Sequence, residues 1–241
     1  MSSPSAKTGR APAAAIVERL RGMESPEDRE GMARFGIRTD RAFGISVVTL
    51  RKMAKEIGTD HALALALWDT GYHEARLLAG FVDDPAQVTE AQMDRWAGEF
   101  DSWDICDLCC SDLFDRTPFA YAKAFEWADD EREFVRRAGF VMMAALSVHD
   151  KAAGDGAFEQ FFPVMKKYAT DDRNFVRKAV NWALRNIGKR NLSLNKKAIG
   201  AGLEIQKIDS RAARWIAADA LRELRSDKVQ ARLAAKEKKK N

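Results

Sequence analysis

An apolar pattern with helical spacing continues along almost the whole chain and leaves little choice of fold class. Apolar residues recur every three or four positions, and strict alternation over the length of a strand is hard to find. Ala, Leu, Arg, Glu, Lys and Met, all good helix formers, dominate the composition. Helix-breaking residues fall between the periodic segments, at Ser25-Pro26, Gly58, Gly71, Pro85, Thr117-Pro118, Gly154, Gly156 and Gly188. The pattern predicts an all-α protein of about a dozen helices.

Short repeats lie within this helical pattern. Residues 134–138 (FVRRA) match 175–179 (FVRKA) at an offset of 41, and residues 79–82 match 138–141 at 59. Residues 177–179 match 211–213 more loosely, at an offset of 34. The larger gap leaves room for one more unit around Ser102 to Phe114. Repeats of this length are typical of stacked helix pairs, so we expect an α-α superhelix, or solenoid, of HEAT-like repeats with a concave basic face. Chance similarity among helices rich in Ala and Arg is the alternative.

The chain of 241 residues is long enough for one domain or one short repeat array. We expect a flexible N-terminal segment over 1–12, a single repeat domain over 13–225 and a basic C-terminal tail over 226–241. No apolar run reaches the ~20 residues of a membrane helix, and the N-terminus lacks the apolar core of a signal peptide. We therefore expect no membrane partner. Three cysteines do not make a disulfide framework, so we also expect a cytoplasmic protein.

Charge is distributed unevenly along the chain. The formal net charge is +4, but residues 83–172 carry −11 and residues 173–241 carry +13. From Arg173 to Leu203 there are eight basic side chains and no acidic one. Such a patch is typical of a surface that meets a phosphate backbone, and a solvated helix face is the alternative. The absence of acidic residues over this stretch favours a polyanionic partner.

An aromatic residue and a carboxylate share one helix face near the middle of the chain. Trp103 and Asp107 lie four residues apart in a helix that begins after Ser102, so they are neighbours on its surface. Asp104 is better placed to support the N-terminus of this helix. A ring face attracts a cation and a carboxylate stabilises it, so this pair suits a cationic or cation-forming substrate. A tryptophan in the core is the alternative. Trp182 follows Arg177-Lys178 and precedes Arg185, so it shares its helix with the basic residues.

The motifs SWDICD (102–107), VRRA (135–138) and FVRKAVNWALR (175–185) resemble the AlkD-like DNA glycosylases. This family has HEAT-like repeats and removes N3- and N7-alkylated purines from DNA. The resemblance runs from about Gly31 to Leu224. It implies that Asp107 is the catalytic aspartate, that Trp103 and Trp182 flank the damaged nucleotide, and that Arg137 holds the DNA backbone beside it. Phe35 then lies where the family often has a tyrosine facing DNA, and Val48 where it commonly has a proline.

The resemblance explains why the sequence shows no metal-binding motif, no cofactor motif and no cluster of histidines. An N3- or N7-alkylated purine is already cationic and leaves without protonation, so the barrier is the positive charge that builds up on the deoxyribose. One carboxylate stabilises that cation and positions water, and aromatic faces add to the stabilisation. No metal and no cofactor is expected. The three histidines are far apart, and Cys106, Cys109 and Cys110 have no second pair of ligands and are expected in the core.

Three functional classes remain open. The leading hypothesis is a monomeric, monofunctional DNA glycosylase acting on alkylated double-stranded DNA and associated with the nucleoid. Its expected DNA-binding residues are Phe35, Arg177, Lys178, Arg185, Lys189 and Arg190. The alternatives are a non-catalytic HEAT-like protein that recognises distorted DNA, and a helical scaffold whose basic face binds an acidic protein.

Overall fold

A computed structural model describes residues 12–238, and within that range every regular element is helical. Nearly all of the expected segment 1–12 therefore lies outside the described residues. The chain divides into two compact units, one through Asp84 and one from Pro85. The single repeat domain expected over 13–225 stays a prediction. No helix in the described range is long and apolar enough to cross a bilayer.

The first unit has five helices between Pro12 and Asp84. They are α1 (Ala13–Arg21), α2 (Pro26–Arg34), α3 (Val47–Ile57), α4 (His61–Asp69) and α5 (His73–Val82). The side chains of Ser25, Ser46 and Asp60 each accept a hydrogen bond from the backbone N–H of the third residue of the helix that follows. These bonds satisfy N–H groups that have no partner inside the helix, and they explain why α2, α3 and α4 begin where they do.

A buried glutamate organises the loop between α2 and α3. Glu74 is fully buried on α5, and its carboxylate accepts hydrogen bonds from the backbone N–H groups of Phe43, Gly44 and Ile45. Gly44 has a φ of +82°, and a Cβ there would overlap the carbonyl oxygen of Ser25. The loop therefore needs both the carboxylate and the glycine.

The second unit carries the longer helices. They are α6 (Glu90–Gly98), α7 (Trp103–Asp112), a 3-10 helix (Phe114–Arg116), α8 (Ala120–Ala128), α9 (Glu133–His149), α10 (Gly156–Glu159), α11 (Phe161–Lys167), α12 (Asn174–Gly188), α13 (Leu192–Gln206), α14 (Arg211–Leu224) and α15 (Asp227–Lys238). Residues 227–238 of the expected basic tail thus form a helix, and α15 buries Val229 and Leu233.

Helices α7, α9, α12 and α14 run in the same direction. The evidence is that contacts between neighbouring helices advance together along both helices. The cysteine thiols of α7 approach carbonyls of α9 in the order 106–134 and 110–138. Contacts of α9 with α12 and the residues directly after it follow the order 134–175 and 147–190. Side chains from α12 meet α14 in the order 177–215 and 185–223. Helix α8 packs on α9, and α13 packs on α12 and α14. Parallel helices of which α9, α12 and α14 are backed by a further helix are the arrangement of a helical-repeat stack.

The repeat of 41 residues is visible as a ring contact. Phe134 begins the matching motif on α9 and Phe175 begins it on α12, and their ring centroids are 5.3 Å apart. Equivalent residues of the two motifs are therefore neighbours across parallel helices, as the repeat predicts.

Candidate functional site

Helix α7 places the predicted aromatic residue and carboxylate on one face. It begins at Trp103 after the N-cap residue Ser102, and the side chain of Asp104 accepts a hydrogen bond from the backbone N–H of Ile105 in the first turn. Negative charge at this position is favourable at a helix N-terminus. Trp103 and Asp107 are four residues apart, which is about one turn of the helix, and both are partly exposed.

Asp107 is held by an arginine from the next parallel helix. The Nε of Arg137 lies 2.8 Å from Oδ1 of Asp107, and its Nη2 lies 2.7 Å from Oδ2. Each oxygen accepts a hydrogen bond from one N–H group of the guanidinium, so the contact is a bidentate carboxylate–guanidinium pair. The exposed fraction is 14% for the side chain of Asp107 and 7% for that of Arg137. Part of the Asp107 side chain therefore remains exposed to solvent, while the arginine is more deeply buried.

Burial and charge act against each other within this pair. Burial raises the pKa of Asp107 above its ordinary value, and Arg137 opposes that shift. Burial acts to lower the pKa of Arg137, but the carboxylate of Asp107 raises it more, so the net shift is upward. Because an arginine stays charged, the pair keeps a carboxylate in a place with little water. Such a carboxylate is a strong stabiliser of positive charge nearby.

Arg137 also joins this pair to α12, the next of the parallel helices. Its Nη1 donates to the carbonyl oxygen of Phe175 at 2.6 Å, and its guanidinium carbon lies 6.0 Å from the centroid of the Phe175 ring. All three nitrogens of Arg137 are thus engaged within the protein. The resemblance to the glycosylases implied that Arg137 holds the DNA backbone, and only the remaining two N–H groups are available for that.

Trp182 lies further along α12. It is partly exposed and follows Phe175 by seven residues, which is two turns or about 10 Å along the helix axis. Because of this spacing, Trp182 shares a face of α12 with Phe175. The next residue back, Asn181, is buried and donates to the carbonyl of Ile216 on α14.

The basic residues expected to bind DNA fall into two groups. Lys178 is exposed, and Arg177 lies 5.1 Å over the ring of Trp215, a tryptophan of α14 that is 38% exposed. The interpretation of the sequence did not include Trp215. The repeat at an offset of 34 could have indicated it, because that repeat sets residues 211–213 of α14 beside 177–179.

Three other basic residues have partners within the protein. Arg185 and Lys189 both pair with Glu223 of α14, at 2.7 and 2.9 Å. Burial acts to raise the pKa of Glu223, but Lys189 and Arg185 lower it below its ordinary value. Arg190 donates to the carbonyls of Ser147 and Ala153, each at 2.9 Å. The segment from Arg173 to Leu203 has no acidic residue of its own, but two of its basic residues pair with Glu223 of another helix.

The remaining predicted residues lie elsewhere. Phe35 belongs to the first unit, where it is the C-cap residue directly after α2 and is 72% exposed. Cys106, Cys109 and Cys110 are buried in the core and form no disulfide, and burial raises the pKa of Cys110. Within residues 12–238, no three His, Cys, Asp or Glu side chains converge as a metal site would require.

Comparison with known proteins identifies the class. The sequence model of a family described as DNA alkylation repair enzymes matches residues 16–224, and the chain therefore belongs to that family. A solved structure is described as a new family of proteins related to the HEAT-like repeat DNA glycosylases with affinity for branched DNA structures. It matches with a TM-score of 0.73 and 18% identity, covering 88% of this chain and 95% of that one. The likeness confirms the all-α, HEAT-like repeat fold. No curated protein matches this chain.

Proposed function

We propose that the protein is a DNA glycosylase that releases N3- and N7-alkylated purines from double-stranded DNA. Membership of the alkylation repair family supports a repair function. The observation that carries the proposal is the bidentate pair of Asp107 with Arg137, which holds a partly exposed carboxylate in a fixed position.

The chemistry follows from that carboxylate. In the proposed reaction the N-glycosidic bond breaks, its electron pair leaves with the purine, and the cationic base departs as a neutral molecule. Positive charge develops on the deoxyribose, where the carboxylate of Asp107 stabilises it. A water oxygen then bonds to the anomeric carbon, and Asp107 accepts the water proton or passes it to solvent. The reaction needs neither a metal nor a cofactor.

Aromatic side chains provide the rest of the proposed site. Trp103 is one turn from Asp107, and its ring face would attract the developing cation. Trp182 would pack on the damaged nucleotide from α12. Since Phe175 lies on the same face of α12 and contacts Arg137, we extend the proposed aromatic surface to it.

Arg137 and the basic residues have distinct proposed roles. Arg137 positions Asp107 through two hydrogen bonds, and a contact with the DNA backbone would use its remaining N–H groups. Arg177 and Lys178 are best placed for phosphates. Arg185, Lys189, Arg190 and Phe35 stay proposed contacts, and Arg185 and Lys189 would exchange Glu223 for phosphate. We propose a monomer that acts on DNA in the cytoplasm, at the nucleoid.

The test is release of base under single-turnover conditions. Matched duplexes would carry N7-methylguanine, N3-methyladenine or hypoxanthine, the last being a neutral lesion. We expect release of the two cationic bases and none of hypoxanthine, because no acid is proposed to protonate a neutral base. Efficient release of hypoxanthine with no release of the cationic bases would contradict the proposed mechanism.

A second function is favoured by a specific observation. Both carboxylate oxygens of Asp107 already accept hydrogen bonds from Arg137, and the structural neighbour is described as having affinity for branched DNA. A non-catalytic protein that binds branched DNA would need no free carboxylate. This alternative predicts tighter binding to a four-way junction than to duplex of the same length, with no base release.

A further inference from the structure

A cleft lies in the second unit at the C-terminal ends of α9 and α12. Its volume is about 720 Å³, and α15 contributes one of its walls. Five cationic side chains line it: Lys151, Lys189, Arg190, Arg232 and Lys236. The lining also includes two acidic residues, Asp155 and Glu237. Lys189 is paired with Glu223 outside the cleft, and the four other cations still outnumber the two acidic residues, so the cleft is a candidate site for an anion.

Most of these cations are held by backbone carbonyl oxygens. Lys151 donates to the carbonyl of Val148, and Arg232 donates to that of Lys189 at 3.2 Å. The guanidinium of Arg190 is fixed by two carbonyls and lies 4.3 Å over the ring of Phe158. A carbonyl has no net charge, so these side chains keep their formal charge while losing freedom. Preorganised cations bind an anion at a lower entropic cost.

Helix α15 brings two of the cations to the cleft. Arg232 and Lys236 are one turn apart, and Lys236 approaches the carbonyls of Lys189 and Arg190 at 3.5 and 3.4 Å. The burial of Val229 and Leu233 fixes this helix to its neighbours. The packing therefore keeps both side chains near the end of α12.

The chemistry of the lining indicates a phosphate group. Among the described lining residues none is aromatic, so the cleft offers no ring on which a nucleobase could stack. Lysine and arginine side chains recognise phosphate by charge and by hydrogen bonds. We propose that this cleft binds backbone phosphates of DNA, with Arg232, Lys236 and Lys151 as contacts in addition to those proposed above. This inference rests on the proposed DNA-binding function.

The test compares the salt dependence of duplex binding in three proteins. One is the full wild-type chain and one carries Arg232→Gln and Lys236→Gln. The control carries Lys207→Gln and Lys238→Gln, which remove the same charge from exposed residues that do not line the cleft. Thermal unfolding of all three checks that they are folded.

Losing two phosphate contacts lowers the slope of log affinity against log salt by about 1.8. Between 50 and 200 mM salt, the affinity of the cleft variant is then expected to fall about 12-fold less than that of the wild type. The control is expected to keep the wild-type slope. Equal slopes for the cleft variant and the wild type would overturn the proposal and leave these side chains as caps of helix ends.

A second arm separates this inference from the proposed function. Inorganic phosphate and tripolyphosphate are titrated into ¹⁵N-labelled protein, and the amide shifts of residues 189–191 and 232–236 are followed. Saturable shifts that the cleft variant loses, together with no effect on DNA binding, would assign the cleft to a free phosphate compound and overturn the backbone assignment. Salt-dependent DNA binding by the wild type, measured separately, tests the DNA binding on which this inference rests, and base release tests the proposed function.

Discussion

Asp107 of α7 and Arg137 of α9 meet through two parallel hydrogen bonds of 2.8 and 2.7 Å, although 30 residues separate them in the chain. The pair fixes the orientation of the carboxylate before any substrate arrives. It also ties α7 to α9, and the third hydrogen bond of Arg137 ties both helices to α12. Stability and the proposed catalysis therefore depend on the same contact.

Removing one partner of this pair is expected to destabilise the protein. Asp107→Ala leaves the guanidinium of Arg137 buried without its carboxylate, which lowers the free energy of unfolding by about 3 kcal/mol. Urea denaturation measures this change. In Asp107→Ala/Arg137→Met the unpaired charge is gone, so the double variant should be more stable than the sum of the single changes predicts. Strict additivity would show that the two side chains do not interact.

Gly139 is expected to be intolerant of any side chain. A Cβ at this position of α9 would overlap the backbone nitrogen of Ala128 and lie 2.7 Å from its Cα, because α8 and α9 approach closely there. Gly139→Ala should lower the free energy of unfolding by at least about 2 kcal/mol. Gly200→Ala is the matched control, since nothing lies within 4 Å of a Cβ there, and it should stabilise α13 by up to about 1 kcal/mol. Equal effects on the midpoint of thermal unfolding would contradict the close helix contact.

Asp171 is expected to contribute stability that acid removes. Its carboxylate pairs with Arg136 at 2.8 Å and Arg173 at 2.5 Å, and the exposed fraction of its side chain is 7%. Burial acts to raise the pKa of Asp171, but the two arginines lower it below its ordinary value. A lowered folded-state pKa means that this stability is present above the unfolded pKa of about 4 and is lost as the pH falls through the folded value.

Asp171→Asn should therefore flatten the dependence of unfolding free energy on pH between about 5 and 2. At pH 7 the variant should be less stable by roughly 2 kcal/mol, because the three hydrogen bonds from the guanidinium groups of Arg136 and Arg173 are weakened. Asp209→Asn is the control, since the side chain of Asp209 is fully exposed and pairs only at the surface with Arg214. A steep acid transition retained in Asp171→Asn would assign the effect to other carboxylates.

Trp103 is expected to affect the chemical step more than DNA binding. Trp103→Ala removes the ring face beside Asp107 and should slow single-turnover base release about 10-fold, the effect of losing one cation–π contact of roughly 1.4 kcal/mol. Trp103→Phe keeps a ring face and should recover most of the rate. Loss of rate in both variants, or in neither, would show that the aromatic face has no part in catalysis.

The sequence was sufficient to predict features that depend on local spacing. The apolar period predicted the helices, the spacing of Trp103 and Asp107 put them on one face, and the repeated motifs predicted that Phe134 and Phe175 would occupy equivalent positions. Helical periodicity and repeat length are read directly from the order of residues.

The partners of charged residues could not be predicted in the same way. Glu223 lies 34 and 38 residues from Lys189 and Arg185, and only the packing of α14 against α12 brings them together. The carbonyls that hold Arg190 belong to α9 and the loop after it. Charge summed along a segment therefore overstates the free positive charge when acidic residues and carbonyls come from other helices.

Base release from duplex DNA containing N7-methylguanine, by Asp107→Asn and by Asp112→Asn, tests the proposed function most directly. Both variants remove one carboxylate from α7, and only the first removes the partner of Arg137. With folding verified by thermal unfolding, we expect Asp112→Asn to release the base at the wild-type rate. Asp107→Asn should lose at least about 100-fold in rate while still binding duplex DNA. Release by Asp107→Asn at the wild-type rate would contradict a catalytic role for this carboxylate.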